Sequence, residues 1–364
     1  MIFPICSECG RPYPMTGSPF LCECGGVFDY GEFPTFNADY VDRQAQGLWR
    51  FRSSFGLGDA LPIVSLGEGN TPLIEAKYNS QPVFLKLEYL NPTGSYKDRG
   101  SAVLASFLVA RGVKSAVEDS SGNAGASFAA YAARAGILAR IFIPDSASGP
   151  KRKQIEAFGA EVNLIPGPRA EAAKAVRREA DHGEVYASHA FMPFGLTGIA
   201  TIAYEIVEQM GGKAPGTIVA PLGHGGLIYG LQRGFEALRM AGVVLKEPFY
   251  VGVQATGCAP VFTAFQNHVT TLREPIESDT IAEGVRVSHP IRGSAILKRI
   301  TQNRGAILAV EDNRLQEAYF EIAQKGFFVE PTSALVWAAL HDIPGKVPEP
   351  VVLILTGSGY KTQV

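Results

Sequence analysis

The chain has 364 residues, 46% of them apolar and 19% charged, an ordinary globular composition with enough length for two packed domains. Its 33 Lys and Arg are balanced by 35 Asp and Glu, without the basic excess that holding a nucleic-acid backbone requires. No apolar run reaches the roughly 18–20 residues that span a bilayer, and the opening MIFPICSECG lacks a basic stretch followed by an apolar one, so a cytoplasmic protein with neither membrane nor nucleic-acid partners is expected.

In chain order, the first thirty residues stand apart. CSECGRPYP (6–14) and LCECGGVFDY (21–30) are two glycine-containing knuckles with little apolar periodicity, and they hold four of the five cysteines. Such a segment cannot build a core unaided, and this spacing in a long chain is no disulfide framework. From Ala60 onward short apolar runs alternate with Ala-rich helical stretches, the pattern of strands and crossover helices, so the fold class is α/β with parallel sheets flanked by helices. Strands are predicted at VFLKLEY (83–89), ARIFIP (139–144), EVNLIP (161–166), TIVAPL (217–222), YVGVQA (250–255) and VVLILT (351–356). Helices are predicted after Lys97, after Asn123 and after Gly226, each following a turn rich in Gly or Ser. The stretch from Phe265 to Ile291 gives only a weak signal.

Those three turns carry the chemistry. NPTGSYKDRG (91–100) follows a strand bearing Lys86 and Glu88 and sets Lys97 in a Gly/Ser turn. A lysine held there in a cleft is less solvated, which favours the neutral amine and imine formation with an aldehyde; a solvated lysine beside a helix start is the plainer alternative. In SSGNAGAS (120–127) small residues let backbone approach a planar ring, and Asn123 offers an amide to a phenolate oxygen or, more simply, caps a helix. In PLGHGGLIYG (221–230) successive amides at a helix start suit a phosphate, while the glycine spacing departs from the dinucleotide fingerprint.

Together with GEGNTPL (67–73), KLEYLNPTGSYKDRG (86–100), EPTSA (330–334) and LTGSG (355–359), these turns resemble the threonine synthase branch of the fold type II pyridoxal-phosphate enzymes, in order along nearly the whole chain. The resemblance implies that Lys97 is the Schiff-base lysine and a proton carrier and that Asn123 faces the cofactor's O3′. It puts the phosphate on Gly223, His224, Gly225, Gly226 and Leu227, and Thr356 opposite the pyridine nitrogen. A hydroxyl there cannot protonate that nitrogen as a carboxylate would, which suits elimination and replacement over transamination. It implies a knuckle over 1–32, a large cofactor domain over 33–84 and 199–364, and a small domain over 85–198, with the cofactor between the last two and a homodimer as the assembly. Some threonine synthases carry such a knuckle, and here Cys6, Cys9, Cys22 and Cys24 would close a tetrahedral structural zinc site; two redox-sensitive pairs, or a knuckle that has lost its metal, are the alternatives. Cys258 reads as a small buried hydrophobe.

The match thins at the substrate's distal end. SHAFMPFGLTG (188–198) has aromatic residues and Gly195 where Asn, Ser and Arg would meet a substrate phosphate, and His224 stands where the family has Asn. AEGVRVSHPIRG (282–293) is closer to the acidic run of threonine and serine dehydratases. Substrate contacts are therefore assigned to Ser121, Ser188, His189, Arg286, His289 and Arg292. Two activities follow: a threonine synthase acting on an O-phosphohomoserine-type substrate, or an ammonia-lyase or β-replacement enzyme acting on an unphosphorylated amino acid. On the first reading a pocket short of Arg and Asn predicts slow turnover of the phosphorylated substrate. A catalytically silent binding protein is a third reading, against which Lys97, Asn123 and Thr356 weigh, because a binder has no need of an imine-forming lysine.

Overall fold

The computed structural model describes residues 2–58, 60–147, 149–273, 277–303, 305–343 and 347–362. A small antiparallel pair, β1 (Ile5–Cys6) and β2 (Phe28–Asp29), closes the knuckle, and β3 (Leu73–Tyr78) and β4 (Gln81–Lys86) form a hairpin. There follow α1 (Lys97–Ala110), β5 (Ser115–Glu118), α2 (Asn123–Ala135), β6 (Leu138–Pro144), α3 (Pro150–Ala157), β7 (Glu161–Ile165), α4 (Arg169–Asp181) and β8 (Val185–Tyr186). Helix α5 (Gly195–Gln209) leads to β9 (Thr217–Pro221), α6 (Gly226–Met240), β10 (Phe249–Ala255), α7 (Pro260–Gln266), α8 (Gly293–Gln302), β11 (Ala306–Val310), α9 (Asp312–Gln324), α10 (Pro331–Ala338) and β12 (Val351–Ile354). The weak stretch 265–291 holds only the end of α7 and one short 3-10 turn, with residues 274–276 outside the described residues. Among the described residues no helix is long and apolar enough to cross a membrane.

The chain divides into two units. The first comprises Met1–Asn70, Asn91–Thr201 and Lys361–Val364, and its all-parallel sheet runs β7-β6-β5-β8. Strands β5, β6 and β7 step to one side while β8 joins β5 on the other, so the order reverses between β5 and β8. In open α/β sheets, ligands bind outside the carboxyl ends of the strands at such a reversal. Helices α1 and α2 cover the sheet with Leu104, Phe107, Leu108, Phe128 and Ala132, buried beside Ile141 and Ile143.

The knuckle packs on this same core, with Tyr13 edge-on to Phe28 and Phe194 at centroid distances of 4.7 and 4.9 Å. Phe20 adds contacts to Tyr186 at 4.9 Å and Phe191 at 5.5 Å. The two knuckle turns are closed by their own amides, Cys6 and Cys22 donating to the carbonyls of Arg11 and Gly26.

The second unit, Thr71–Leu90 and Ile202–Tyr360, has the sheet order β11-β10-β9-β12-β4-β3, parallel except for the β3 edge. Its interior strands are continuous apolar runs because helices cover both faces; Val219, Val251, Val253 and Leu353 lie in one core with Leu335 and Trp337 of α10. One charge pair is enclosed there. Lys86 Nζ donates to Glu205 at 2.8 Å, to the Thr71 carbonyl at 2.7 Å and to Gln209 at 2.9 Å, with the Lys86 and Glu205 side chains 0% and 1% exposed. Removing one partner leaves an uncompensated buried charge, whereas replacing both restores an apolar contact. Lys86→Met should therefore cost about 3–5 kcal/mol, and adding Glu205→Leu should recover most of it. Urea unfolding midpoints of the wild type and these two variants test this, and equal losses in both would show that the pair itself is stabilising.

Candidate active site

Helix α1 begins at Lys97 itself. The turn before it is held by Asp98, whose buried carboxylate accepts the Thr93 amide, the Thr93 hydroxyl and the Ser127 hydroxyl, each at 2.6 Å. Burial pushes the Asp98 carboxyl up to about 6 despite those donors. Lys361 Nζ donates to the Thr93 carbonyl at 2.7 Å, closing the turn from the other side. Among the described residues Lys97 Nζ makes no hydrogen bond or ion pair; the ring of Tyr96 lies 5.1 Å away. Two residues earlier, the buried Ser95 hydroxyl likewise has no hydrogen-bond partner. An amine and a buried hydroxyl without hydrogen-bond partners among the described residues, beside a turn held by Asp98 and Lys361, fit a group that reacts with the amine and is not part of the chain.

At the carboxyl end of β5 the chain turns through Ser120 and Ser121 into α2, which opens at Asn123. At the same end of β8, whose Tyr186 pairs with Val117, it turns through Ser188 and His189. The predicted Ser121, Asn123, Ser188 and His189 thus lie on the loops of two neighbouring strands, at the reversal of the sheet. Ser188 Oγ accepts amides of Ala190 and Phe191 at 3.3 and 3.4 Å and so shapes its own turn. His189 Nδ1 lies 2.6 Å from Glu118 Oε1. Glu118 Oε2 accepts the amides of Asp119 and, at 2.8 Å, of Ser120. Asp119 Oδ1 accepts the Tyr186 hydroxyl at 2.8 Å. Burial and the Glu118 charge push the Asp119 carboxyl up to about 6, while burial together with Lys97 holds the His189 imidazolium well below its ordinary range. Arg169, the first residue of α4, acts on both Asp119 and His189.

In the second unit the glycine turn joins β9 to α6. Gly225 has φ +94°, a left-handed conformation that glycine adopts without strain, and α6 starts at Gly226. A Cβ built at Gly226 meets nothing within 4 Å, so the first residue of a fifteen-residue helix borders open space, and a helix N-terminus there suits a phosphate. Gly223, His224 and Leu227 flank it. The Arg292 amide donates to the His224 carbonyl at 3.3 Å, and Arg292, 4% exposed, lies behind the turn with its Cβ close to Gly225. Arg286 instead pairs with Asp279 at 2.8 Å near the surface, and His289 is exposed. Thr356 is buried, its hydroxyl 2.9 Å from Ser333 Oγ, and Ser333 also accepts the Gly357 amide at 2.8 Å. The EPTSA and LTGSG runs are therefore one structure, with the Glu330 carboxylate packed against Gly357.

The four knuckle cysteines converge. Their sulfurs lie within 4.8 Å of one another, with Cys6–Cys24 and Cys9–Cys24 at 3.4 Å and Cys9–Cys22 at 3.7 Å. Thiolates about 2.3 Å from a tetrahedral metal stand about 3.8 Å apart, so this donor set fits zinc.

One expectation is corrected. Gly195 does not stand where an arginine would reach a substrate phosphate: a Cβ there meets Gly100 backbone at 3.2–3.5 Å, because α5 lies directly on α1. Sequence reasoning passed over Glu118, Asp119, Arg169 and Ser333. Two adjacent acids at the end of VED, just before SSGN, were the available signal for the first pair; Arg169 has none, since only the fold brings α4 to that edge.

Comparison with known proteins agrees with this geometry. Residues 64–357 match the family described as pyridoxal-phosphate dependent enzyme. The threonine synthase of Methanocaldococcus jannaschii is 33% identical over 98% of this chain and 92% of its own length, and that of Synechocystis sp. is 35% identical over 85% and 82%. Among solved structures, the threonine deaminase of T.th. superposes with a TM-score of 0.67 at 26% identity, covering 81% of this chain and 94% of its own. Maize serine racemase, at 21% identity and TM-score 0.69 over 79% and 88%, shares the fold. Ordered motifs, sheet topology and near full-length similarity converge: the chain belongs to the fold type II pyridoxal-phosphate dependent enzymes and is a threonine synthase-like lyase.

Proposed function

We propose that the protein forms L-threonine from O-phosphohomoserine, with Lys97 as the cofactor-bearing lysine. The observation that carries this reading is similarity to threonine synthases along almost the entire chain, knuckle included. When bound, pyridoxal phosphate supplies an electron sink that lets bonds at an amino acid's α, β and γ carbons be made and broken. Lys97 Nζ holds the cofactor and carries protons. The amides of Gly223, His224, Gly225, Gly226 and Leu227 bind its phosphate at the positive end of α6. Asn123 donates to its O3′, and the Thr356 hydroxyl meets the pyridine nitrogen without protonating it. Ser121, Ser188 and His189 orient the substrate, and Arg169, Arg286 and Arg292 supply guanidinium groups for its anionic ends, with His289 offering ring nitrogens. Because Gly195 belongs to a helix contact, its lack of charge says nothing about the phosphate, and slow turnover no longer follows from it.

The cysteine cluster is read as a structural zinc site, four thiolates leaving no open position. A cytoplasmic homodimer accompanies this reading on family resemblance alone. The likeness to a threonine deaminase favours a second reading, ammonia release from unphosphorylated L-threonine or L-serine.

Three measurements separate these ideas. For the substrate, kcat/KM for threonine formation from O-phosphohomoserine should exceed that for ammonia release from L-threonine and L-serine by at least about 100-fold; the reverse order establishes the deaminase reading. Lys97→Ala should lose the visible imine absorbance and reduce turnover by several orders of magnitude while far-UV circular dichroism is unchanged, and a yellow, active variant would remove Lys97 from its role. Protein purified without chelator should contain one zinc per chain. Cys9→Ser should lose it and melt several degrees lower, as expected when a core-poor segment loses its staple; zinc content unchanged by the substitution would exclude the four-cysteine site.

A further inference from the structure

The pair formed by Glu118 and His189 goes beyond holding two loops together. Glu118 is wholly buried at the end of β5, and both of its oxygens are committed. Oε2 receives two backbone amides, from Asp119 and Ser120, and those donors require an acceptor. Burial pushes the Glu118 carboxyl up, and its amide donors, the His189 backbone amide among them, pull it back; as the carboxylate it accepts at Oε1 as well, and the 2.6 Å contact is then made by a proton on His189 Nδ1. The lone pair of the ring is then on Nε2.

We propose that Glu118 is a positioning residue that fixes His189 in the neutral Nδ1–H tautomer, so that the imidazole meets the substrate as a hydrogen-bond acceptor and not as a cation. The ligand chemistry selected is a hydroxyl or water proton at the distal end of the substrate, the water that becomes the threonine hydroxyl being the natural occupant. This rests on the threonine-forming reading above.

The charges around the ring agree. Glu118 and Asp119 face it from the end of β5, with the Tyr186 phenol of β8 bonded to Asp119, Arg169 from α4 and Lys97 from α1. Burial and the two cations oppose the imidazolium, Asp119 favours it, and the net effect is downward. The ring therefore stays neutral at and above its ordinary 6.5, and the cation forms only as pH falls below that value. Removing the Glu118 anion moves that titration lower still.

Replacing the carboxylate by an amide makes a specific demand. The Asp119 and Ser120 amides still need an oxygen, so in Glu118→Gln the amide nitrogen must turn toward His189, making Nδ1 an acceptor and leaving the proton on Nε2. The test uses the holoenzyme labelled with nitrogen-15 histidine, the His189 signal being identified by its loss in His189→Gln. At pH 7.5 the wild type should show the neutral Nδ1–H tautomer, and Glu118→Gln the Nε2–H tautomer. Threonine formation should fall about 10- to 100-fold in kcat/KM in Glu118→Gln, as for one charge-assisted hydrogen bond, and no further in the variant that combines Glu118→Gln with His189→Gln. A wild-type imidazolium or Nε2–H tautomer at pH 7.5 overturns the proposal and needs no variant to fold. An unchanged tautomer in Glu118→Gln, or wild-type kcat/KM in that variant, overturns it equally. If the wild type forms no threonine at all, the substrate reading fails, while the tautomer measurement still decides the role of Glu118.

Discussion

How closely α5 can lie on α1 is the constraint on which the first unit depends. Gly195 sits against the Gly100 backbone, and a Cβ at Gly198 would collide with the Arg99 carbonyl oxygen. A Cβ at Gly195 would be tight and one at Gly198 does not fit, so the two helices approach within backbone contact. Arg99, buried in that seam, donates to Thr201 at 2.9 Å. Lys97 stands within a turn of the contact, so the angle at which its side chain leaves α1 is set by glycines far along the chain. The aromatic stack of Phe107 on Phe194, with centroids 3.6 Å apart, continues the same seam.

The buried charges follow a single rule in both units. Asp98, Glu118 and Lys86 are each withdrawn from water, and each is surrounded by donors or acceptors that match it, often backbone amides or carbonyls. Such groups add little net stability compared with apolar residues of the same shape. Their use is geometric: Asp98 fixes the turn from which Lys97 projects, and Lys86 ties β4 to α5. Structure held in this way is rigid where a reaction needs fixed distances.

Much of this was legible in the sequence, and the reasons are specific. Helices α1, α2 and α6 announce themselves because each follows a turn of small residues, and the interior strands β6, β9, β10 and β12 are mostly apolar, with single polar residues such as Arg140 and Gln254, because both faces are covered. Strand β3, LIEAKY, is nowhere buried at its antiparallel edge and carries Glu75 and Lys77, so a search for continuous apolar runs passes it by; β11 at the opposite edge, AILAV, is an apolar run that the same search could have found. Strand β8 has two residues, too few for any periodicity. The site divided along similar lines. Lys97, Asn123 and the glycine turn are local signatures. The partnership of Glu118 with His189 spans 71 positions and exists only because β8 is added beside β5 on the far side from β6.

The knuckle is usually thought of as an accessory, but its aromatic face gives it a different standing. Phe20 rests on Tyr186 and Phe191, the two residues that bracket Ser188 and His189, and Tyr13 rests on Phe194, one position before α5. The loop that carries His189 is thus walled on one side by a segment that gathers four sulfurs within 4.8 Å of one another. A shortened gene beginning after residue 32 would leave three aromatic faces wet and the loop without its backing. Any effort to trim this enzyme to a minimal catalytic body has to keep the thirty residues that look most dispensable.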